Sequence, residues 1–146
     1  ADILKANCGT LDIRGVAHKG FFASITDFPS CYIRKQRTCA GSSGEDRAAE
    51  YFQTVLTCSE IGAGKDEPEI YLQAAQALGC KPEETLVFED AFYAACTARE
   101  AGFPVIGVYD ESNRRFVHQM QEQCICYCDQ IEECIEFLNT DGIYRE

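Results

Sequence analysis

The sequence predicts a single α/β domain built on a mostly parallel sheet, in a three-layer, Rossmann-like arrangement. Its length of 146 residues suits one domain. Several short runs are apolar at every position, which is typical of strands whose two faces are both covered, as in parallel sheets. Segments of helical periodicity separate these runs, and such alternation is typical of parallel strands joined by right-handed crossovers.

The first strand and helix of this alternation are predicted over residues 53–79. Residues 53–58 form a β-branched run that predicts a strand. Pro68 and its acidic neighbours suit the first turn of a helix. An apolar face follows at four-residue intervals, and Gly79 predicts the end of the helix. The residues of that face are Ile70, Ala74 and Leu78, with Tyr71 and Ala75 beside them.

Three further strand–helix units follow along the chain. Residues 85–88 and 104–109 are unbroken apolar runs, and both predict buried strands. Residues 124–128 predict the last strand. The helices after these strands are predicted over residues 91–101, 113–123 and 131–138.

The N-terminal third shows no comparable pattern. Residues 21–25 are compatible with a strand and residues 47–52 with a short helix, whereas residues 31–37 have no amphipathic period. Charge differs in the same way, because residues 1–50 carry 7 basic and 6 acidic side chains and residues 51–146 carry 6 and 18. We therefore interpret residues 1–146 as one domain with an atypical part, 1–48, and a recognisable part, 49–138.

Composition excludes several classes of partner. The net charge of −11 argues against nucleic acid and anionic membranes, because phosphate groups attract Lys and Arg. No apolar run approaches the roughly 20 residues of a membrane span, and residues 1–5 lack the pattern of a signal peptide. The ten cysteines include no CxxC pair, which predicts reduced thiols in a cytoplasmic protein.

Two groups of polar residues follow predicted strands. Glu89 and Asp90 come directly after residues 85–88, and Lys65 lies in a glycine-containing loop after residues 53–58. Ligands of parallel sheets bind beyond the carboxyl ends of the strands. Carboxylates there suit Mg²⁺ and a lysine suits phosphate. The alternative is that the two acids only stabilise a helix start and the lysine is solvated.

The lysine loop is not a nucleotide-binding P-loop. That motif requires glycine at position 59 and serine or threonine at position 66, where this chain has Ser59 and Asp66.

The spacing of these residues carries a family resemblance. The matching runs are YFQTVL at 51–56, GKDEPEIY at 64–71, LGCKPEETLVFEDA at 78–91 and AGFPVIGV at 101–108. Together they resemble the C-terminal half of haloacid dehalogenase-like hydrolases, in particular the β-phosphoglucomutase-like phosphatase branch, over residues 49–138. The resemblance implies that Lys65 steadies an aspartyl-phosphate and that Glu89 and Asp90 hold Mg²⁺. It implies a phosphatase or phosphomutase acting on a small phosphorylated metabolite.

The nucleophile of that family is not evident in this sequence. The family motif is Asp-x-Asp-Gly-Thr-Leu, in which the first aspartate accepts the phosphoryl group and the second is the general acid and base. No two aspartates here are separated by one residue, and the nearest echo is ANCGTL at 6–11. Asp12 and Asp27 are possible substitutes. The alternative function is therefore a catalytically inactive, truncated or degenerate domain that acts as a binding or structural module.

The resemblance also predicts a phosphate-binding hydroxyl after an N-terminal strand. Ser42 or Ser43 fits this role, since glycine and serine loops offer N–H groups and hydroxyls to phosphate. A flexible loop is the alternative. No cap domain is visible, because residues 12–42 are too few to form one. A core lacking its central strand would expose a sheet edge, so a homodimer is possible.

Cysteines offer a further hypothesis. Cys124, Cys126 and Cys128 alternate and would share one face of a strand, so a thiolate metal site that also includes Cys134 is conceivable. Buried packing is the alternative.

Overall fold

The computed structural model describes residues 15–18, 30–34, 53–130 and 132–133. The strands are β1 Gly15–His18, β2 Ser30–Arg34, β3 Thr54–Thr57, β4 Thr85–Glu89, β5 Val105–Val108 and β6 Cys126–Cys128. The α-helices are α1 Cys58–Ile61, α2 Glu69–Leu78, α3 Phe92–Glu100 and α4 Val117–Gln123, with 3₁₀ helices at Pro82–Glu84 and Glu111–Phe116.

The six strands form one parallel sheet in the order β3-β2-β1-β4-β5-β6. This is the order of a doubly wound Rossmann-like fold, so the predicted fold class is confirmed. The order in which strands are added to the sheet reverses direction between β1 and β4. These two strands are paired, with Gly15 opposite Thr85 and His18 opposite Phe88. Ligands of such sheets bind in the crevice beyond the carboxyl ends of the strands at this switch point.

The expectation of a missing central strand is wrong. β1 occupies the centre of the sheet between β2 and β4, and its Ala17 is fully buried. The four residues of β1 are too short to show a period of two, and only Val16 is β-branched. Pairing on both sides therefore supplies the strand where local propensity does not.

The core lies between the sheet and the helices. All five residues of β4 are buried, as an unbroken apolar run predicts. α2 packs on the half of the sheet formed by β1, β2 and β3, and it buries all five residues of the predicted face, including Tyr71 and Ala75. Each large apolar side chain buried in this way, such as Leu86 or Ile106, stabilises the fold by roughly 1.5–3 kcal/mol.

The C-terminal half departs from the prediction in one place. The helix predicted over residues 113–123 begins earlier. It starts as the 3₁₀ helix Glu111–Phe116 and continues as α4, Val117–Gln123. Asp110 starts it early, because its carboxylate accepts a hydrogen bond from the backbone N–H of Ser112 at 2.9 Å. β5 is closely covered at Gly107, where a Cβ atom would lie 2.7 Å from the Tyr127 ring on β6 and 3.0 Å from Met120 on α4.

Several predicted features lie outside the described residues. They are the strand at 21–25, the helix at 47–52, most of the helix at 131–138, the phosphate-binding candidates Ser42 and Ser43, and the nucleophile candidates Asp12 and Asp27.

The cysteines are used mainly for packing. Burial raises the pKa of the Cys31 and Cys124 thiols to about 12, so both stay protonated. Cys126 and Cys128 are buried as well, with their Sγ atoms 3.5 Å apart. Over the part of the chain that is described, no group of three or more His, Cys, Asp or Glu residues is arranged to hold a metal ion. The three cysteines of residues 124–128 alone therefore do not form the thiolate site.

The helices of the described ranges include none that is both long and apolar enough to cross a membrane.

Candidate active site

Lys65 reaches the carboxyl edge of the sheet through a short turn after β3. Thr57 caps α1, its hydroxyl accepting a hydrogen bond from the backbone N–H of Glu60 at 3.2 Å. α1 ends after one turn at Gly62, whose φ of 77° is a left-handed conformation that glycine adopts without strain. The chain then turns back, and Lys65 is only 8% exposed.

Glu89, the last residue of β4, holds the lysine. The Nζ atom of Lys65 lies 2.6 Å from Oε1 of Glu89, and both side chains are buried. The hydroxyl of Tyr71, on α2, donates a second hydrogen bond to the same oxygen at 2.9 Å. Two donors from different parts of the chain thus converge on one buried carboxylate oxygen.

The other oxygen of this carboxylate is buried and has no hydrogen-bond partner among the described residues. An unsatisfied buried acceptor is costly, so such an atom calls for an explanation. A divalent cation explains it, because carboxylate oxygens are the ligands that Mg²⁺ and Ca²⁺ prefer. Asp90 follows directly along the chain, so the residues present fit a hard cation.

Lys65, Glu89 and Asp90 line a cavity of about 240 Å³. One end is formed by Lys65, Glu89 and Asp90, and we call it the charged end. The other polar residues of its lining, Tyr93, Ser112 and Asn113, we call the polar wall. The cavity therefore joins the end of β4 to the turn after β5.

The polar wall was not predicted from the sequence. The sequence predicts only that Asn113 begins a helix and that Tyr93 lies within one. The available signal was topological, because the loop after β5 borders the same crevice as the loop after β4. The ring of Phe92 stacks on Phe116 with centroids 5.4 Å apart, which ties the 3₁₀ helix of the wall to the start of α3.

The two tyrosines at the site remain neutral. Burial, reinforced by the charge of Glu89, raises the pKa of the Tyr71 phenol far above its ordinary value. Burial also raises the pKa of Tyr93, with Lys65 opposing and nearby carboxylates reinforcing the change. Both hydroxyl groups are therefore hydrogen-bond donors at neutral pH.

The structure brings Lys65, Glu89 and Asp90 together at one cavity. The solvated alternative for Lys65 is wrong, since its side chain is paired and buried. The helix-stabilising alternative does not describe Glu89, which is a strand residue bonded to Lys65 and Tyr71. The N-cap of α3 is Ala91, which makes no side-chain capping bond. The roles of the three residues in phosphate and metal binding stay predictions.

The fold and the site together define a class of α/β protein. Such a protein has a doubly wound parallel sheet and a lysine–carboxylate cluster at the carboxyl ends of the strands, which suits the binding of an anion beside a cation. The chain belongs to the haloacid dehalogenase-like hydrolase family, whose model matches residues 19–102, more than half of the sequence. The family resemblance found in the sequence is therefore confirmed.

Individual relatives agree with this assignment. The fructose-1-phosphate phosphatase YqaB of Escherichia coli (strain K12) is 34% identical over 94 residues, a match that covers 58% of this chain and 50% of that protein. A conserved haloacid dehalogenase-like protein of unknown function from Agrobacterium tumefaciens str. C58 has the same fold, with a TM-score of 0.65, 21% identity, and coverage of 83% of this chain and 59% of that one. So has a putative β-phosphoglucomutase from Thermotoga maritima, with a TM-score of 0.58, 23% identity, and coverage of 80% and 55%. The chain spans half or less of the length of the first curated relatives it matches.

Proposed function

We propose that this chain carries the phosphate- and cation-binding part of a phosphatase that acts on small phosphorylated metabolites, with sugar phosphates as the substrate class. One observation carries the proposal: Lys65 is held 2.6 Å from a buried carboxylate whose second oxygen has no hydrogen-bond partner among the described residues, at the edge of a polar cavity.

The charge of the site supports phosphate binding only together with a cation. Lys65, Glu89 and Asp90 carry a formal charge of −1 between them. A divalent cation held by the two carboxylates would change this to +1, which complements a phosphate group. When bound, Mg²⁺ would neutralise charge on the phosphate oxygens and polarise the phosphoryl group. Lys65 has two ammonium hydrogens beyond the one that faces Glu89, and it would donate them to phosphate oxygens.

The size and lining of the cavity favour a small polar substrate. About 240 Å³ lies below the roughly 300–1,000 Å³ of sites for drug-sized ligands. The polar wall offers a phenol, a hydroxyl and an amide to the organic part of the substrate, and these groups suit sugar hydroxyls. The matched fructose-1-phosphate phosphatase is named for a substrate of this class.

Covalent phosphoryl transfer needs a carboxylate that accepts the phosphoryl group. Asp12 and Asp27 remain the candidates from the sequence, and both lie outside the described residues. The competing function is a binding module, which would hold phosphate by the same charge arrangement without turning it over.

Release of inorganic phosphate from fructose 1-phosphate in the presence of Mg²⁺ tests the proposal. The variants to compare are Lys65→Met, which removes the buried cation, and Lys81→Met, which removes an exposed lysine as a matched control. We expect kcat/KM to fall at least about 100-fold for Lys65→Met, because transition-state charge stabilisation is lost. The rate of Lys81→Met should equal that of the unmodified chain.

Two other results would argue against the proposal. Equal rates for the unmodified chain and Lys65→Met would reject the proposed role of the lysine. Mg²⁺-dependent phosphate binding without any turnover would favour the binding module. Phosphomutase activity, a homodimer and a cytoplasmic location stay predictions.

A further inference from the structure

We infer that Tyr71 is a positioning residue for the cation site, because its hydroxyl holds one oxygen of Glu89 and thereby reserves the other for a metal ion. This inference rests on the cation site that the proposed function includes, but it can be tested without turnover.

The hydrogen bonds around Glu89 are unequal. Lys65 and Tyr71 donate to the same oxygen, Oε1, at 2.6 and 2.9 Å. Oε2 is buried and receives no hydrogen bond from the described residues. A lysine alone would not maintain this difference, because its ammonium group rotates on a flexible stem and can approach either oxygen. A second donor on Oε1 opposes rotation of the carboxylate group.

Tyr71 is well placed to supply that second donor. It lies on α2 with no exposed surface, and its ring packs against Phe103 with centroids 6.1 Å apart. The position of its hydroxyl is therefore set by the packing of α2 on the sheet. A buried phenol also needs an acceptor itself, so this bond is favourable for both groups.

Replacing Tyr71 with phenylalanine isolates this role. Tyr71→Phe keeps the ring and its packing and removes only the hydroxyl. Tyr109→Phe is the matched control, since Tyr109 also donates to a glutamate, Glu111, but does not line the cavity. Binding of Mn²⁺ to the full chain, followed by the electron paramagnetic resonance signal of the free ion, with Mg²⁺ as competitor, measures the affinity directly.

We expect Tyr71→Phe to weaken Mn²⁺ binding by about tenfold, a typical loss when a hydrogen bond to a metal ligand is removed. Tyr109→Phe should bind Mn²⁺ as the unmodified chain does. In a Glu89→Gln background, Tyr71→Phe should have no further effect, because a residue that acts through Glu89 is not additive with it. Thermal unfolding of each variant verifies that it is folded during the titration.

Three results would overturn the inference: unchanged affinity in Tyr71→Phe, an equal loss in Tyr109→Phe, or a full additional loss in the Glu89→Gln background. Absence of Mn²⁺ binding by the unmodified chain would overturn it as well. A Tyr71-dependent Mn²⁺ affinity in a chain that hydrolyses no phosphate ester would support the positioning role and remove the proposed function.

Discussion

The charged end and the polar wall of the cavity are built in different ways. At the charged end Lys65 and Glu89 are buried, and Lys65 and Tyr71 each donate a hydrogen bond to Glu89. The polar wall is open, with Tyr93 49% exposed on α3 and Ser112 exposed on a 3₁₀ helix. The packed core thus holds Lys65 and Glu89, whereas the polar wall lies at the surface.

This difference indicates that the charged end and the polar wall would bind different parts of a ligand. A rigid, water-excluding cluster suits the part of a ligand that is common to all phosphate esters, because the same charges must be met each time. A surface turn tolerates sequence change and suits the part of the ligand that varies. We therefore expect substitutions at the charged end to affect stability most, and substitutions in the polar wall to affect substrate choice most.

The largest effect on stability is expected at the charged end. Lys65→Met leaves the charge of Glu89 buried without its main partner, and breaking a buried pair on one side costs about 3–5 kcal/mol. Unfolding in urea, monitored by circular dichroism, measures the free energy of unfolding. Lys81→Met, at an exposed position, should change this free energy by less than about 0.5 kcal/mol. Equal stabilities of the two variants would mean that the ion pair is not buried in solution.

An intermediate effect is expected where the two regions are joined. Phe116→Ala removes the ring that stacks on Phe92, and Phe116 is only half-buried. We expect a loss of about 1–3 kcal/mol, below the value for a fully buried phenylalanine. The same variant should lower kcat/KM for sugar phosphates more than the affinity for Mn²⁺, because it loosens the wall and leaves Glu89 in place. A larger loss of Mn²⁺ affinity than of kcat/KM would contradict the separation of the two regions.

The smallest effect on stability is expected in the polar wall itself. Asn113→Ala should change the free energy of unfolding by no more than about 0.5 kcal/mol, as is usual for surface positions. For fructose 1-phosphate we expect kcat/KM to fall about tenfold, the value of one hydrogen bond to the substrate. For an aryl phosphate, which has no sugar hydroxyls, the rate should be unchanged. A uniform decrease for both substrates would show that Asn113 does not discriminate between them.

Much of the fold could be predicted from the sequence, for local reasons. The unbroken apolar run of β4, the four-residue period of α2 and the turn at Gly79 are features that neighbouring residues encode by themselves. The site residues Lys65, Glu89 and Asp90 could also be predicted, because residues that follow parallel strands meet at one edge of the sheet. The central strand β1 could not be predicted, since four residues with one β-branched side chain carry too little local signal.

The side chains that complete the site depend on the tertiary structure. Tyr71 reads in the sequence as one more apolar position on a helix face, and only the packing of α2 against the sheet brings its hydroxyl to Glu89. Ser112 and Asn113 likewise share a cavity with Glu89 and Asp90 because the strand order places β5 beside β4.

The sequence by itself thus determined the parallel α/β class, the recognisable half of the core and the charged residues at the strand ends, because spacing and periodicity are local properties. The tertiary structure decided that β1 completes the sheet and that the turn after β5 contributes to the same cavity as Glu89. It also decided that one oxygen of Glu89 is occupied while the other has no hydrogen-bond partner in the described part of the chain. Those features depend on contacts between residues far apart in the chain, and such contacts leave no periodic signal in the sequence.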